Sequence, residues 1–185
     1  MSKSHEQYTL EKLAWAKILA QQNKFFRKAR AIIVKGDKLL VLHKLNNNSL
    51  QLPGGGINDK ENAKTATERE VLEETNALVK ITHYLGKYYY TAKLDYQNTE
   101  FLSKRVEFIY ICEFIKFCKD RPLGIEGEFG NNVELVEIPF NQLNKISMPP
   151  RLRQKALEYL NSHYAQWWLF CFAKLGLIDR KKSSF

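Results

Sequence analysis

Apolar and polar positions change their period several times along the chain, and each change marks an element. From Thr9 to about Phe26, the residues Leu10, Leu13, Ala14, Ala16 and Ile18 keep helical spacing, with Glu11, Lys12 and Lys17 between them. The runs Ala31–Val34 and Leu39–Leu42, joined by Lys35-Gly36-Asp37-Lys38, predict two strands in a hairpin. Asn46–Ser49 reads as a loop, and Gln51-Leu52 is too short to assign. Three consecutive glycines, Gly54–Gly56, exclude both a helix and a central strand. Asn58 and Glu61 then have the spacing of a capping box, which predicts a helix from there to Thr75 with Asn76 as its left-handed stop. Aromatic and β-branched residues dominate Ile81–Thr91 and Arg105–Phe117, two expected strands separated by the polar Lys93–Glu100. A long loop over Asp120–Asn132, a strand at Val133–Ile138 and a helix from Arg151 to about Tyr164 complete the order. This succession is the pattern of an α/β fold with a mixed sheet and helices on its faces.

Composition narrows the class. A length of 185 residues suits one domain with a terminal extension. With 44% hydrophobic and 26% charged residues, the chain is neither collagen-like, low-complexity nor a coiled-coil rod. Lys and Arg number 29 against 20 Asp and Glu, a formal charge of +9 that suits phosphate-bearing ligands and equally a solvated surface. Cys112, Cys118 and Cys171 form no CxxC pair and keep no ligand spacing to the histidines, which argues against a disulfide framework and a structural zinc. The opening MSKSHEQYTLEKLAW lacks the pattern of a secretory signal, and no stretch reaches the ~20 apolar residues of a transmembrane segment. The expected location is therefore intracellular, in the cytoplasm.

The stretch from Gly55 to Ala77 carries the chemistry. Glu70, Glu73 and Glu74 stand at i, i+3 and i+4, so a helix crowds three carboxylates on one face. Two remedies exist for that repulsion, exposure to water and salt or a divalent cation, since hard oxygen ligands suit Mg²⁺ or Mn²⁺. The neighbouring glycines are compatible with a plain tight turn or with a backbone that approaches a bound phosphate or metal.

Together these residues resemble the signature of the Nudix hydrolases, G-x5-E-x7-R-E-U-x-E-E-x-G-U, with U a bulky aliphatic residue. Here it reads Gly55, Glu61, Arg69-Glu70-Val71, Leu72, Glu73-Glu74, Thr75, Asn76 and Ala77, led by Leu52-Pro53-Gly54. Asn76 stands where glycine is usual, and Ala77 is small for the last aliphatic slot. Glu134–Leu143 also resembles the family's late strand and turn, so the likeness extends over most of Lys28–Leu160. The resemblance implies a Nudix-type α/β/α sandwich over 28–160, after an N-terminal helical extension (1–27) and before an apolar, then basic C-terminal segment (161–185). It implies hydrolysis of a pyrophosphate bond in a nucleoside diphosphate linked to another group, with Mg²⁺ or Mn²⁺ as cofactor. By that likeness Glu70, Glu73 and Glu74 bind the metal together with the carbonyl of Gly54, and Glu70 doubles as the base that activates water. Arg69 orients the glutamates or forms an exposed ion pair with Glu73, and Glu61 ties loop to helix. A further metal carboxylate is expected near the late turn, Glu134 first, with Glu126, Glu128 and Glu137 behind it. The likeness also admits a second class of function, a Nudix-fold module that binds or senses a nucleotide without cleaving it.

The rest of the chain leaves alternatives open. Markers of the NADH-cleaving and ADP-ribose subgroups are missing, so the subgroup is not assigned. Tyr88-Tyr89-Tyr90 offer a ring for base stacking or serve alternating strand packing. Arg27, Lys28 and Arg30, expected ahead of the first strand, steer phosphates or end a solvated helix. Trp167–Phe172 with Leu175 and Leu177-Ile178 reads as a cap on this domain's core, a homodimer interface or a membrane-surface helix. The expected partner is a small-molecule nucleotide; the charge permits RNA without specifically supporting nucleic acid.

Overall fold

The structure, a computed structural model, describes residues 5–118 and 132–174, with side chains from 10 to 118 and from 132 to 163. Helix α1 (His5–Gln21) precedes strands β1 (Phe26–Lys35), β2 (Lys38–Lys44) and β3 (Ser49–Gln51). Helix α2 (Ala63–Thr75) leads into β4 (Ala77–Tyr96) and β5 (Thr99–Phe117), and β6 (Val133–Pro139) runs into a 3-10 helix at Phe140–Lys145. A second unit begins at Met148 and contains helix α3 (Pro150–Lys174), whose Leu152, Ala156 and Leu160 are buried at helical spacing.

Among the described residues, six strands form one sheet in the order β3-β2-β1-β5-β4, with β6 also pairing with β2. β1 and β5 run parallel and the other pairs antiparallel, so the sheet is mixed and the fold is α/β, as the sequence pattern predicts. The apolar runs of β1 and β2 are continuous because both faces are covered: Ile32, Ile33, Leu39 and Leu40 are all buried. Lys35 pairs with Lys38, and Gly36 takes a positive φ of 62° in the two-residue turn. On one face, Val71 of α2 packs with Ala31, Ile33, Leu40, Ala77 and Cys112. α1 packs against β4 and β5, where the Lys17 ammonium lies 5.5 Å from the Tyr96 ring centroid and Lys104 donates to Asn23 at 2.6 Å. No described helix is long and apolar enough to cross a membrane.

Several element boundaries differ from the sequence reading. α1 stops at Gln21, and β1 already starts at Phe26, so Arg27, Lys28 and Arg30 belong to a strand rather than to a helix end. The backbone of this segment has partners on both sides, which outweighs its charged composition. α2 starts at Ala63, not at Asn58: Lys60 sits at φ +66°, which breaks helical geometry, and the working cap is Asn62, whose side chain accepts from Thr65 N–H at 2.9 Å. Lys93–Glu100 is not a separating loop. β4 and β5 continue through it to a tight turn at Gln97-Asn98, both at positive φ, and Lys93 and Glu100 form a salt bridge at 2.7 Å. Gln51 closes β3, and α3 runs well beyond Tyr164. The loop expected at Asp120–Asn132 lies outside the described residues save Asn132, and the side chains of Trp167–Ile178 lie outside them too.

Asn76 does end α2 in the left-handed region, at φ +54°, with its N–H donating to Leu72 O at 3.1 Å. Only glycine adopts this conformation without steric cost. In urea denaturation, Asn76→Gly is expected to be more stable than Asn76→Ala by about 1 kcal/mol; equal stabilities would contradict this.

Candidate active site

β2 pairs only with Ile33–Lys35 of β1, and the glycine loop takes the free edge below. Ala29 N–H donates to Gly55 O at 2.9 Å, Ala31 N–H to Pro53 O at 2.9 Å, and Ile57 N–H to Arg27 O at 3.0 Å. This close run explains the glycines. Gly54 sits at φ +135°, and a Cβ there would overlap the Ala29 carbonyl and lie 2.8 Å from Arg30 Cα. At Gly55, a Cβ would meet the Glu70 carboxyl carbon at 2.6 Å.

α2 buries the stripe Ala63, Ala66, Thr67, Glu70, Val71, Glu74 and Thr75, so two carboxylates share the face that meets the sheet. Glu70 is 3% and Glu74 2% exposed, which removes the alternative of a solvated acidic face for this pair; Glu73, at the edge, has a side chain 43% exposed. Glu74 Oε2 accepts from Gly54 N–H at 2.6 Å. Arg69 is the hub of the rest. Its Nε and Nη2 donate to the two oxygens of Glu61 at 2.9 and 3.0 Å, a bidentate pair. Nη1 donates to Glu70 Oε1 at 2.8 Å and to Glu73 Oε2 at 3.0 Å, and Nη2 also reaches Gly56 O at 2.8 Å. The hydrogen bond to Arg69 holds the Glu61 carboxyl below its ordinary pKa. The same bond, aided by the Glu70 and Glu73 charges against an opposing burial effect, holds Arg69 above the ordinary arginine value. Glu61 also accepts from Asn58 N–H at 3.0 Å, closing the turn before the helix.

A second guanidinium holds the loop. Arg30 Nη1 donates to Gly54 O at 2.6 Å and to Leu52 O at 3.1 Å, while its Nε stands 3.7 Å from Glu107 Oε2. Glu107, buried on β5, accepts from the hydroxyls of Tyr88 and Tyr90, each at 2.7 Å, and those two rings stack at 5.5 Å. Burial alone would raise the Glu107 pKa, but the Arg30 charge and the two tyrosine hydroxyls outweigh it and hold it low. Lys28, half-buried beside them, is pushed down to about 7, first by burial and then by the Arg30 charge.

The fold thus brings together Gly54, Glu70, Glu74, Arg69 and, at its rim, Glu73. It does not bring Glu134 into the Arg69 hub: Glu134 is exposed on β6, in register with His43. Glu137 pairs with Lys35 and Lys38, and Glu126 and Glu128 lie outside the described residues. Two buried carboxylates, a half-exposed one and a loop carbonyl are hard oxygen donors and fit a hard dication in kind. Among the described residues, however, no three acidic, cysteine or histidine side chains are clustered closely enough to hold one together. Glu107 and the Arg30–glycine contact are what the sequence did not disclose. A lone acid between Val106 and Phe108 in an apolar strand is a signal of a buried partner, but its partners come from separate strands.

Two predictions follow from this packing. Gly54→Ala is expected to destabilise the chain strongly, by ~2–4 kcal/mol, because its clash is with backbone, while Gly55→Ala costs less because a side chain can yield; urea denaturation ranks them. Glu107 has a folded pKa below its unfolded value of ~4.3, so its stabilisation is complete above that pH and fades as pH falls through the folded value. Glu107→Gln is expected to cost ~1.5–3 kcal/mol at neutral pH, by removing one of the two carboxylate charges that act on Arg30, and to flatten the acid limb of the pH–stability curve. An unchanged acid limb would remove this role.

Known proteins add an independent comparison. The family model of the NUDIX domain matches residues 25–160. No curated protein sequence matches at a significant level. Among solved structures, a NUDIX hydrolase from Nitrosomonas europaea is similar at 22% identity and a TM-score of 0.54, covering 74% of this chain and 88% of its own. A MutT NUDIX hydrolase from Burkholderia pseudomallei (18% identity, TM-score 0.47, covering 68% and 89%) and a NUDIX-family hydrolase from Clostridium perfringens (17%, 0.48, covering 74% and 96%) are also similar. Only the first of these three bears on the fold, and it agrees with the mixed α/β architecture. With the match spanning most of the chain and both the glycine loop and the glutamate helix inside it, the chain belongs to the Nudix family of hydrolases, which act on phosphoric anhydride bonds.

Proposed function

We propose that the chain hydrolyses the pyrophosphate bond of a nucleoside diphosphate linked to another group, with Mg²⁺ or Mn²⁺ as cofactor. The observation that supports this is the Arg69 hub, which gathers Glu61, Glu70 and Glu73 and the Gly56 carbonyl into one unit beside the Glu74–Gly54 bond. Nudix hydrolases generally use divalent metals. In this reading Glu70, Glu73, Glu74 and the Gly54 carbonyl would hold the ion. When bound, it would neutralise the diphosphate oxygens. Arg69 keeps the glutamates oriented, and the Glu70 carboxylate takes the proton of the attacking water. The catalytic domain in this reading is 28–160, between the helical extension 1–27 and the C-terminal segment 161–185.

The test is incubation with Mg²⁺ and a panel of nucleotides, dinucleotides and sugar nucleotides, followed by separation of products. A mononucleotide product that disappears on chelation is expected. Glu73→Gln, partly exposed and so tolerated by the fold, is expected to lower kcat by ~10²–10³-fold while stability stays within about 0.5 kcal/mol. Nucleotides bound but never cleaved would assign the chain a binding role instead.

A further inference from the structure

A cavity of about 990 Å³ opens between α1, the start of β1 and the end of the glycine loop, a size common for small-molecule sites. One side is a stripe of α1, where Lys12, Trp15 and Leu19 follow helical spacing, with Gln22 just past the helix end. Phe25, Phe26 and Arg27 of the β1 entry and Asn58 of the loop line it too, and Gly56, Arg69 and Glu70 connect it to the active site. α1 precedes the matched region, so this wall belongs to the chain's own extension.

The chemistry of the lining is specific. Trp15 is 45% exposed although the adjacent Ala16 is buried, and Phe25 is exposed as well. Large aromatic faces left wet lose hydrophobic free energy that a flat ligand would recover. Gln22 and Asn58 contribute amides that both donate and accept, the complement of a heteroaromatic edge rather than of an alkyl chain. Lys24 and Arg27 add positive charge to the same lining, beside the carboxylates of Glu11 and Asp59.

We propose that this cavity holds the nucleobase of the substrate, stacked on Trp15, with the phosphates directed toward Arg69 and Glu70. The proposal rests on the pyrophosphohydrolase reading for that direction only, and its test measures binding, not turnover. Titration calorimetry of the full chain compares AMP, GMP, CMP and UMP with ribose 5-phosphate, which keeps sugar and phosphate but lacks the base. At least one nucleotide is expected to bind about tenfold or more tighter than ribose 5-phosphate. Trp15→Ala is expected to remove ~5–100-fold of that affinity, the worth of one stacked base, and Trp15→Phe to keep most of it. Circular dichroism checks the fold of each variant. A second measurement leaves Trp15 in place: with Trp167→Phe and Trp168→Phe, saturating nucleotide is expected to quench the remaining tryptophan fluorescence. Equal binding of the four nucleotides and ribose 5-phosphate overturns the proposal, as does full base preference in Trp15→Ala or fluorescence unchanged by a bound nucleotide. Base-dependent binding without hydrolysis would leave the cavity assigned and remove only the hydrolytic reading.

Discussion

Two guanidinium groups grip the carbonyls of the glycine loop, Arg30 at Leu52 and Gly54 and Arg69 at Gly56. Consecutive glycines lose more conformational freedom on folding than any other residues, so such a loop keeps one shape only if outside groups hold it. Charge-assisted hydrogen bonds, worth ~1.5–3 kcal/mol each, are strong enough to do so. The edge of β1 supplies the remainder through the amides of Ala29 and Ala31. The glycines are thus needed twice, for the positive φ at Gly54 and for the approach of Glu70 to Gly55.

The same guanidiniums make the acidic helix tolerable. Glu70 and Glu74 lie on the stripe that docks α2 against the sheet, where unpaired carboxylates would oppose folding. Arg69 bonds Glu70 directly, and the Glu74 charge acts on Arg30 together with Glu107. An apolar pair at these two positions would pack α2 with less desolvation. Spending stability on buried, hydrogen-bonded carboxylates beside a shaped loop is what sites of chemistry do, and cores do not.

Local signals were the legible ones. The Asn76 stop, the hairpin turn at Gly36 and the spacing of Arg69, Glu70, Glu73 and Glu74 all reside within a few neighbouring positions. What escaped needed partners far away in sequence. Phe26–Arg30 looks like a charged helix end, yet its backbone bonds to the glycine loop and to β5, and Lys28 is aligned with Glu107. Asn58 and Glu61 have the right capping spacing, but the Glu61 carboxylate is drawn to Arg69 and Lys60 turns to positive φ, so a turn forms and the helix waits for Asn62. The length of the β4–β5 hairpin was hidden for the same reason, since the polar strand ends are matched to each other and to α1.

Charge arithmetic at the site bears on how an anionic ligand is met. Glu61, Glu70, Glu73 and Glu74 are four carboxylates, and the guanidiniums among them, Arg30 and Arg69, are already engaged with carboxylates and loop carbonyls. The excess of +9 over the whole chain is therefore not concentrated where the motif lies. A diphosphate arriving there would face more negative than positive charge, a repulsion that weakens only if cations come with it. Hard dications do that at carboxylate sites, which supports the metal in the proposed reading. Lys24 and Arg27 at the neighbouring cavity are offset by Glu11 and Asp59 in the same lining, so side-chain charge there does not replace the cations that a diphosphate would bring to the glutamates.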